Sequence, residues 1–185
     1  MGAPLNREAA LALMQEYVQS ESLRRHMLCV EAAMRAYARK FGEDETTWGI
    51  VGLLHDFDYE RWPDPPDHPL KGAEILRGLG YPEHIIYAIK SHADYLTDCP
   101  RVNRVDKVLY ACDELCGFLI ACAAVRPEKL VGMEAKSVRK KLKNKAFAAA
   151  VNRDDIDRGA ADLGVDLDEH IQFCIGALQQ MPAQG

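Results

Sequence analysis

Apolar residues recur every three to four positions along most of this chain, which is the period of an α-helix that faces a core. The first such segment follows Asn6, a residue type that caps helices, and extends to about Ser20. The second is predicted to be capped by Ser22 and to run to Phe41, before Gly42. Sustained period-two alternation, the signature of strands, is absent from the sequence. The pattern predicts an all-α fold, a bundle of roughly eight to ten helices.

A third helix is predicted from near Asp44, and its apolar run at 50–54 ends directly at His55 and Asp56. Two polar residues at the inner end of a buried segment are poor packing choices. A buried carboxylate is normally protonated, paired or bound to a metal, because its desolvation is costly. On the second helix, His26 is separated from apolar residues by the spacing of one helical face, and it is therefore expected on the inner face.

The segment 58–69 contains four prolines and is predicted to be irregular. Helices are then expected from about 69 to 79 and from Pro82 to near His92. The longest apolar run, 102–125, is expected to hold Asp113 on its inner face.

The C-terminal part of the sequence carries a basic segment and two further helix signals. Asn152 is expected to cap one helix, and Asp166, with Glu169 three residues later, the last. The basic segment is typical of a helix with a solvated charged side, although one or two of its cations could instead reach an anionic substrate. Its cations are Lys136, Arg139, Lys140, Lys141, Lys143 and Lys145.

Composition narrows the class of protein. The 185 residues suit a single domain, and 48% of them are apolar, so a sizeable core is available. No run approaches the roughly 20 apolar residues of a membrane span. Residues 1–8 contain no apolar signal-peptide core, so a cytoplasmic protein with no membrane partner is expected. The net charge of −5 disfavours a nucleic acid polymer as partner, whereas a small phosphorylated substrate needs only a local positive field.

The six cysteines are expected to be reduced core residues, because most lie in apolar helical sequence. No Cys-x-x-Cys pair is present, so a structural zinc site is not expected. The cysteines are Cys29, Cys99, Cys112, Cys116, Cys122 and Cys174.

Six potential metal ligands follow one another in the order His, His-Asp, His, His, Asp, which is typical of a dinuclear metal centre. They are His26, His55, Asp56, His68, His92 and Asp113. With the surrounding segments Gly-Leu-Leu-His-Asp at 52–56 and His-Pro-Leu-Lys-Gly at 68–72, the chain resembles the HD superfamily of metal-dependent phosphohydrolases. It is most similar to small stand-alone bacterial HD proteins, with a ligand set like that of the HD-GYP phosphodiesterases. The motif would cover 26–113 of a single HD domain, and 114–185 would be a helical extension.

The resemblance implies the roles of these residues. His26, His55, Asp56 and Asp113 would bind a first divalent metal ion. His68 and His92 would complete a second site, with Asp56 as the bridging ligand between two ions of Mn, Fe, Zn or Co. A metal-activated water is expected as the nucleophile, since motifs for covalent catalysis and Gly-rich phosphate loops are absent from the sequence.

Taken singly, each candidate has an ordinary structural explanation. An inward histidine such as His26 is more often a satisfied core residue, His68 could simply open a helix, and His92 could cap a helix end. Asp113 could be hydrogen-bonded within the core. His84 and His170 lie outside the pattern and are predicted to be surface residues.

Substrate contacts are less well specified by the sequence. Arg61, in the irregular segment with Tyr59 and Trp62, could bind a phosphate through its planar guanidinium. Lys107, six residues before Asp113, could point towards the same pocket or extend along the surface.

The sequence also departs from the HD-GYP pattern, because Phe57-Asp58-Tyr59 replaces the Ile-Gly-Lys that commonly follows the doublet. Cyclic-dinucleotide hydrolysis is therefore not carried over. The favoured function is hydrolysis of a small phosphorylated metabolite or nucleotide. Two alternatives remain: an HD-fold di-iron oxygenase, resembling myo-inositol oxygenase and related phosphonate-cleaving enzymes, and a non-catalytic regulatory module with a metal site.

Overall fold

In the computed structural model, which describes residues 5–182, all regular secondary structure of the described residues is helical, as predicted. The nine helices within that range are α1 (Arg7–Tyr17), α2 (Glu21–Phe41), α3 (Glu45–Leu54), α4 (Asp67–Gly78), α5 (Glu83–Ser91), α6 (Arg104–Ala124), α7 (Ala135–Leu142), α8 (Arg153–Leu163) and α9 (Leu167–Gln179). The predicted lack of a signal peptide rests partly on residues 1–4, which lie outside this range. No described helix combines the length and the apolar character needed to cross a bilayer.

Side-chain caps begin most of the helices whose starts were predicted. Asn6, Asp44, Asn152 and Asp166 each accept a hydrogen bond from a backbone N–H in the first turn of α1, α3, α8 and α9, which confirms these four predictions. The prediction for α2 was wrong by two residues. Its cap is Ser20, whose hydroxyl accepts from the N–H of Leu23.

The chain forms two compact units, one up to Leu109 and one from Tyr110 onward, and the division falls within α6. In the first unit α3 is the central helix, because it contacts α1, α2 and α5. All residues from Trp48 to Leu54 are buried, which explains why this segment is apolar on every side. In the second unit α7 and α8 pack on α9.

Irregular structure is confirmed for the proline-rich segment before α4. The backbone angles of His68 and Pro69 are non-helical, although hydrogen bonding places both within the first turn of α4. Pro82 lies at the N-cap of α5, one position before the predicted first turn. The irregular start of α4 sets the position of the His68 side chain, described next.

Candidate metal centre

Five of the six predicted ligands are brought together within the first unit, from α2 and from the ends of α3, α4 and α5. His26 lies on α2, His55 is the C-cap residue of α3, and Asp56 follows it directly. His68 lies in the non-helical start of α4, and His92 is the C-cap residue of α5. Helix ends and a proline-containing turn thus present most of these side chains.

The carboxylate of Asp56 lies at the centre of this group, and each of its oxygens faces one pair of histidines. Its Oδ2 is 4.0 Å from Nε2 of His26 and 3.5 Å from Nε2 of His55. Its Oδ1 is 3.3 Å from Nε2 of His68 and 3.4 Å from Nε2 of His92. The carboxylate is therefore oriented as a group that can join two adjacent ligand sets.

Three of the imidazole rings are oriented through their other nitrogen. Nδ1 of His55 donates to the carbonyl oxygen of Gly52 at 2.7 Å, and Nδ1 of His92 donates to that of Ile89. Nδ1 of His68 donates to Oδ1 of Asp58 at 2.7 Å. Because these acceptors fix a proton on Nδ1, Nε2 faces Asp56, and in the neutral form that binds metal each ring presents the lone pair of Nε2 there.

The pair formed by His68 and His92 indicates a place for a cation. Their Nε2 atoms lie only 3.2 Å apart, and both nitrogens lie near the same oxygen of Asp56. Two imidazole lone pairs at this distance repel each other unless a proton or a metal ion lies between them. Ligand atoms bound tetrahedrally at about 2.0–2.1 Å are about 3.3–3.4 Å apart, which is close to the separations in this triangle.

The electrostatics of the group are those of a carboxylate surrounded by imidazoles. Burial raises the pKa of Asp56, but the charge of His55 and hydrogen bonds with His68 and His92 outweigh burial and hold it well below its usual range. Burial likewise lowers the pKa of His68, yet its hydrogen bonds to Asp56 and Asp58 raise it to about 9. Asp56 is therefore ionised at neutral pH, as a metal ligand must be.

Asp58 is a functional candidate that the sequence analysis missed. It is almost fully buried, and its two oxygens accept from Nδ1 of His68 and from the backbone N–H of Gly72, both at 2.7 Å. A Cβ atom at Gly72 would lie 2.8 Å from this carboxylate, so only glycine permits the close approach. A carboxylate behind a metal-binding histidine is a common arrangement in metalloproteins.

Two tyrosines lie close to His68. The ring of Tyr59 packs edge-on against the His68 ring with 5.2 Å between centroids, and the Tyr95 hydroxyl donates to the backbone carbonyl of His68. Both tyrosines are 44% exposed, so they lie where the centre meets solvent. Burial, together with the carboxylates of Asp58 and Asp56, raises the pKa of Tyr95 to about 12, which keeps its hydroxyl protonated.

The remaining predicted residues have different surroundings. The guanidinium of Arg61 lies 3.8 Å from the ring centroid of Tyr17 and donates to the carbonyl of Glu16, so it is engaged by α1. Lys107 lies on α6 and is half-buried. Asp113 also lies on α6, within the second unit, and is half-buried.

One prediction outside the ligand set was confirmed and one was wrong. His84 is exposed on α5, as expected. His170 is not a surface residue: it is 1% exposed and bonds through Nε2 to the carbonyl oxygen of Ala111 at 2.8 Å. It lies on the apolar face of α9 with Cys174, a spacing of four residues that the sequence already contained.

Comparison with known families agrees with this geometry. The HD domain family model matches residues 23–117, just over half of the chain, and this segment includes all six predicted ligands. The chain therefore belongs to the HD domain family. No curated protein gives a significant match to it. The fold and the His/Asp group that could hold metal are those of a family typified by metal-dependent phosphohydrolases.

Proposed function

We propose that this protein is a metal-dependent hydrolase of a small phosphorylated metabolite or nucleotide, with a dinuclear centre built around Asp56. The observation that carries the proposal is the division of the Asp56 carboxylate between two pairs of histidines. A mononuclear site needs only one of these pairs. A second pair, with both Nε2 atoms directed at the other oxygen, is what a bridging carboxylate requires.

The proposed ligand sets follow this division. His26, His55 and Asp56 form one set, to which the HD pattern adds Asp113. His68, His92 and the second oxygen of Asp56 form the other. Imidazole and carboxylate ligands suit Mn, Fe, Zn or Co, whereas calcium would require more oxygens.

The protein's own groups define what the site does with a substrate. The hydrogen bonds at Nδ1 hold the rings of His55, His68 and His92 in place with Nε2 towards Asp56, and the ionised Asp56 supplies negative charge between them. Divalent cations held there supply Lewis acidity, which lowers the pKa of a water molecule and neutralises a phosphoryl group. Tyr59 and Tyr95 line the exposed side and are proposed to contact the substrate.

Lys107 and Arg61 remain proposals for phosphate contact. For Arg61 this requires the guanidinium to leave Tyr17 and the carbonyl of Glu16. A cytoplasmic location and a single HD domain over 1–185 also remain predictions.

The test begins with elemental analysis of protein purified without chelator and without an affinity metal. At least two Mn, Zn or Co ions per chain, together with hydrolysis in a panel of phosphomonoesters and phosphodiesters, would support the proposal. About two irons per chain with oxygen consumption and no phosphoester hydrolysis would contradict it in favour of an oxygenase. Failure to take up metal on reconstitution would contradict any catalytic role.

A matched pair of variants on α5 tests whether the hydrolytic activity depends on this metal centre. His92→Ala removes a proposed ligand, whereas His84→Ala removes an exposed histidine from the same helix. His92→Ala should lower activity by more than the roughly 10–100-fold typical of outer-shell changes, and His84→Ala should leave it unchanged. Equal activity in the two variants would contradict the assignment of His92.

A further inference from the structure

A second group of potential metal ligands lies within the second unit, apart from the HD residues. Cys112 lies on α6, and His170 and Cys174 lie one turn apart on α9. Both cysteines are 0% exposed and His170 is 1% exposed. Three side chains that can bind metal thus come from two helices and meet where solvent is excluded.

The separations in this group match those of a thiolate and imidazole site. One donor atom from each residue, Sγ of each cysteine and a ring nitrogen of His170, lies within 4.8 Å of the others. Sγ of Cys174 lies 3.8 Å from Nδ1 of His170. Zinc bound at about 2.3 Å to sulfur and 2.0–2.1 Å to nitrogen, with angles of about 109–120°, holds these two atoms about 3.5–3.8 Å apart.

The orientation of the His170 ring also suits metal binding. Its Nε2 lies 2.8 Å from the carbonyl oxygen of Ala111, which can only accept, so Nε2 carries the proton. Nδ1 of the neutral ring therefore directs its lone pair towards the side occupied by Cys174. Metal-binding histidines characteristically donate their other N–H to a carbonyl or carboxylate, which fixes the tautomer.

We propose that Cys112, His170 and Cys174 form a structural site for a thiophilic divalent metal ion, Zn²⁺ in the first place. Two thiolates and a neutral imidazole balance the charge of one Zn²⁺, so the complex is neutral, as a fully buried site requires. Cys116 is buried one turn beyond Cys112 on α6 but lies outside this group of three, so it would have to move to supply a fourth ligand. The site would join α6 to α9.

This site differs in chemistry from the HD centre, whose ligands are only nitrogen and oxygen. The sequence analysis did not expect a structural zinc site, because it looked for Cys-x-x-Cys pairs. Here the ligands are 62 positions apart, and they come together only through the packing of α9 on α6. The four-residue spacing of His170 and Cys174 was the one local signal.

Zinc-edge X-ray absorption of the zinc-loaded full chain tests the proposal without any mutation. A zinc–sulfur shell at about 2.3 Å can arise only from cysteines, since the HD ligands contain no sulfur. We expect this shell, with two or three sulfurs at one of the bound ions. A spectrum with nitrogen and oxygen neighbours alone would overturn the proposal, whatever metal the HD centre holds.

Cobalt substitution and matched variants locate the sulfur ligands. The wild-type chain and His92→Ala should both show the near-ultraviolet charge-transfer band of thiolate-bound Co²⁺, and Cys174→Ser should lose it. Cys122→Ser, which changes another buried cysteine of α6, should retain it. Persistence of the band in Cys174→Ser would overturn the assignment.

Counting the reactive thiols distinguishes a metal site from a disulfide between Cys112 and Cys174. All six cysteines are free in the structure, so six should react with an alkylating reagent after denaturation without reductant. In a separate titration of the native zinc-loaded protein, zinc should be released in step with the modification of two or three of them. Only four reactive thiols in protein purified without oxidant, with peptide mapping that places the disulfide between Cys112 and Cys174, would overturn the proposal.

Discussion

Which nitrogen of each imidazole carries the proton decides whether the residues around Asp56 can bind a cation. In His55, His68 and His92, an acceptor at Nδ1 forces the proton to that nitrogen and turns Nε2 towards the carboxylate. Two of these acceptors are backbone carbonyls three residues earlier in the chain, so the helix end itself orients the ring. His68 lies in an irregular turn, and Asp58 supplies its acceptor.

Replacing Asp58 by Asn should weaken metal binding with little change of shape. The Asp58 carboxylate accepts from both the His68 ring and the N–H of Gly72, whereas an amide has one acceptor oxygen and directs N–H groups at the second donor. We expect metal affinity at the His68 and His92 pair to fall about 10–100-fold. Isothermal titration of the metal-free protein, with circular dichroism to verify the fold, measures this.

Unchanged affinity in Asp58→Asn would show that Asp58 has only a packing role. Asp67→Asn is the matched control, because it changes an exposed carboxylate beside His68 in the same segment. It should leave metal binding unchanged.

The sequence predicted the metal-binding residues of the first unit better than their supporting partners. Metal binding requires side chains such as imidazole and carboxylate, so the histidines and aspartates of the ligand set stand out in the sequence. Asp58 was missed because its role depends on the turn that brings His68 and Gly72 beside it, and no local pattern encodes that turn. His170 was misplaced because it was considered alone and not as a neighbour of Cys174 on one helix face.

At the scale of helices, the close approach of α2 and α3 positions His26 and His55. A Cβ atom at Gly52 would lie 2.9 Å from the Met34 side chain and 3.0 Å from backbone atoms of Glu31. The backbone of α2 can make room for this Cβ atom only if the whole helix moves. Gly52 also supplies the carbonyl that accepts from His55, so it serves both the packing of α3 and the orientation of the ring.

Gly52→Ala should therefore destabilise the protein more than Gly49→Ala, one turn earlier on α3. At Gly49 the three atoms nearest to an added Cβ all belong to the flexible side chain of Arg35, and none belongs to a neighbouring backbone. We expect Gly52→Ala to cost about 1–3 kcal/mol through overpacking. Gly49→Ala should be nearly neutral, because the helix propensity of alanine, about 1 kcal/mol better than that of glycine, offsets the displacement of the Arg35 side chain from its ion pair with Glu45. Urea unfolding midpoints of both variants measure the difference, and equal midpoints would contradict this account.

Helix starts were predictable where a single capping residue was present, as at Asn6 and Asp44. The start of α2 was not, because Ser20 and Ser22 are both suitable caps. The Glu60 carboxylate accepts from the backbone N–H groups of Gln19 and Ser20, each at 3.0 Å, and this contact favours the earlier start. A contact across 40 residues cannot be read from local propensity.

At the scale of the whole chain, the two units carry donor sets of different hardness. In the first unit the potential ligands are imidazoles and a carboxylate, and in the second they are thiols and an imidazole. Mn²⁺ prefers the former and binds thiolates weakly, whereas Zn²⁺ suits both. Mn²⁺ can therefore be used to load the first centre while the second stays empty.

Mn²⁺ added to the metal-free protein should raise its thermal stability through the HD centre alone. At a free concentration 100 times the dissociation constant, binding stabilises the native state by about 2.7 kcal/mol. For a chain of this length, that corresponds to a rise of the melting temperature of about 5–11 °C. Differential scanning calorimetry should show the full rise in the wild type, in His84→Ala and in Cys174→Ser, and a smaller rise in His92→Ala, which keeps the ligand set of His26, His55 and Asp56. An equal rise in His92→Ala would mean that the stabilising Mn²⁺ binds elsewhere, and it would contradict the ligand set assigned to Asp56 and its histidines.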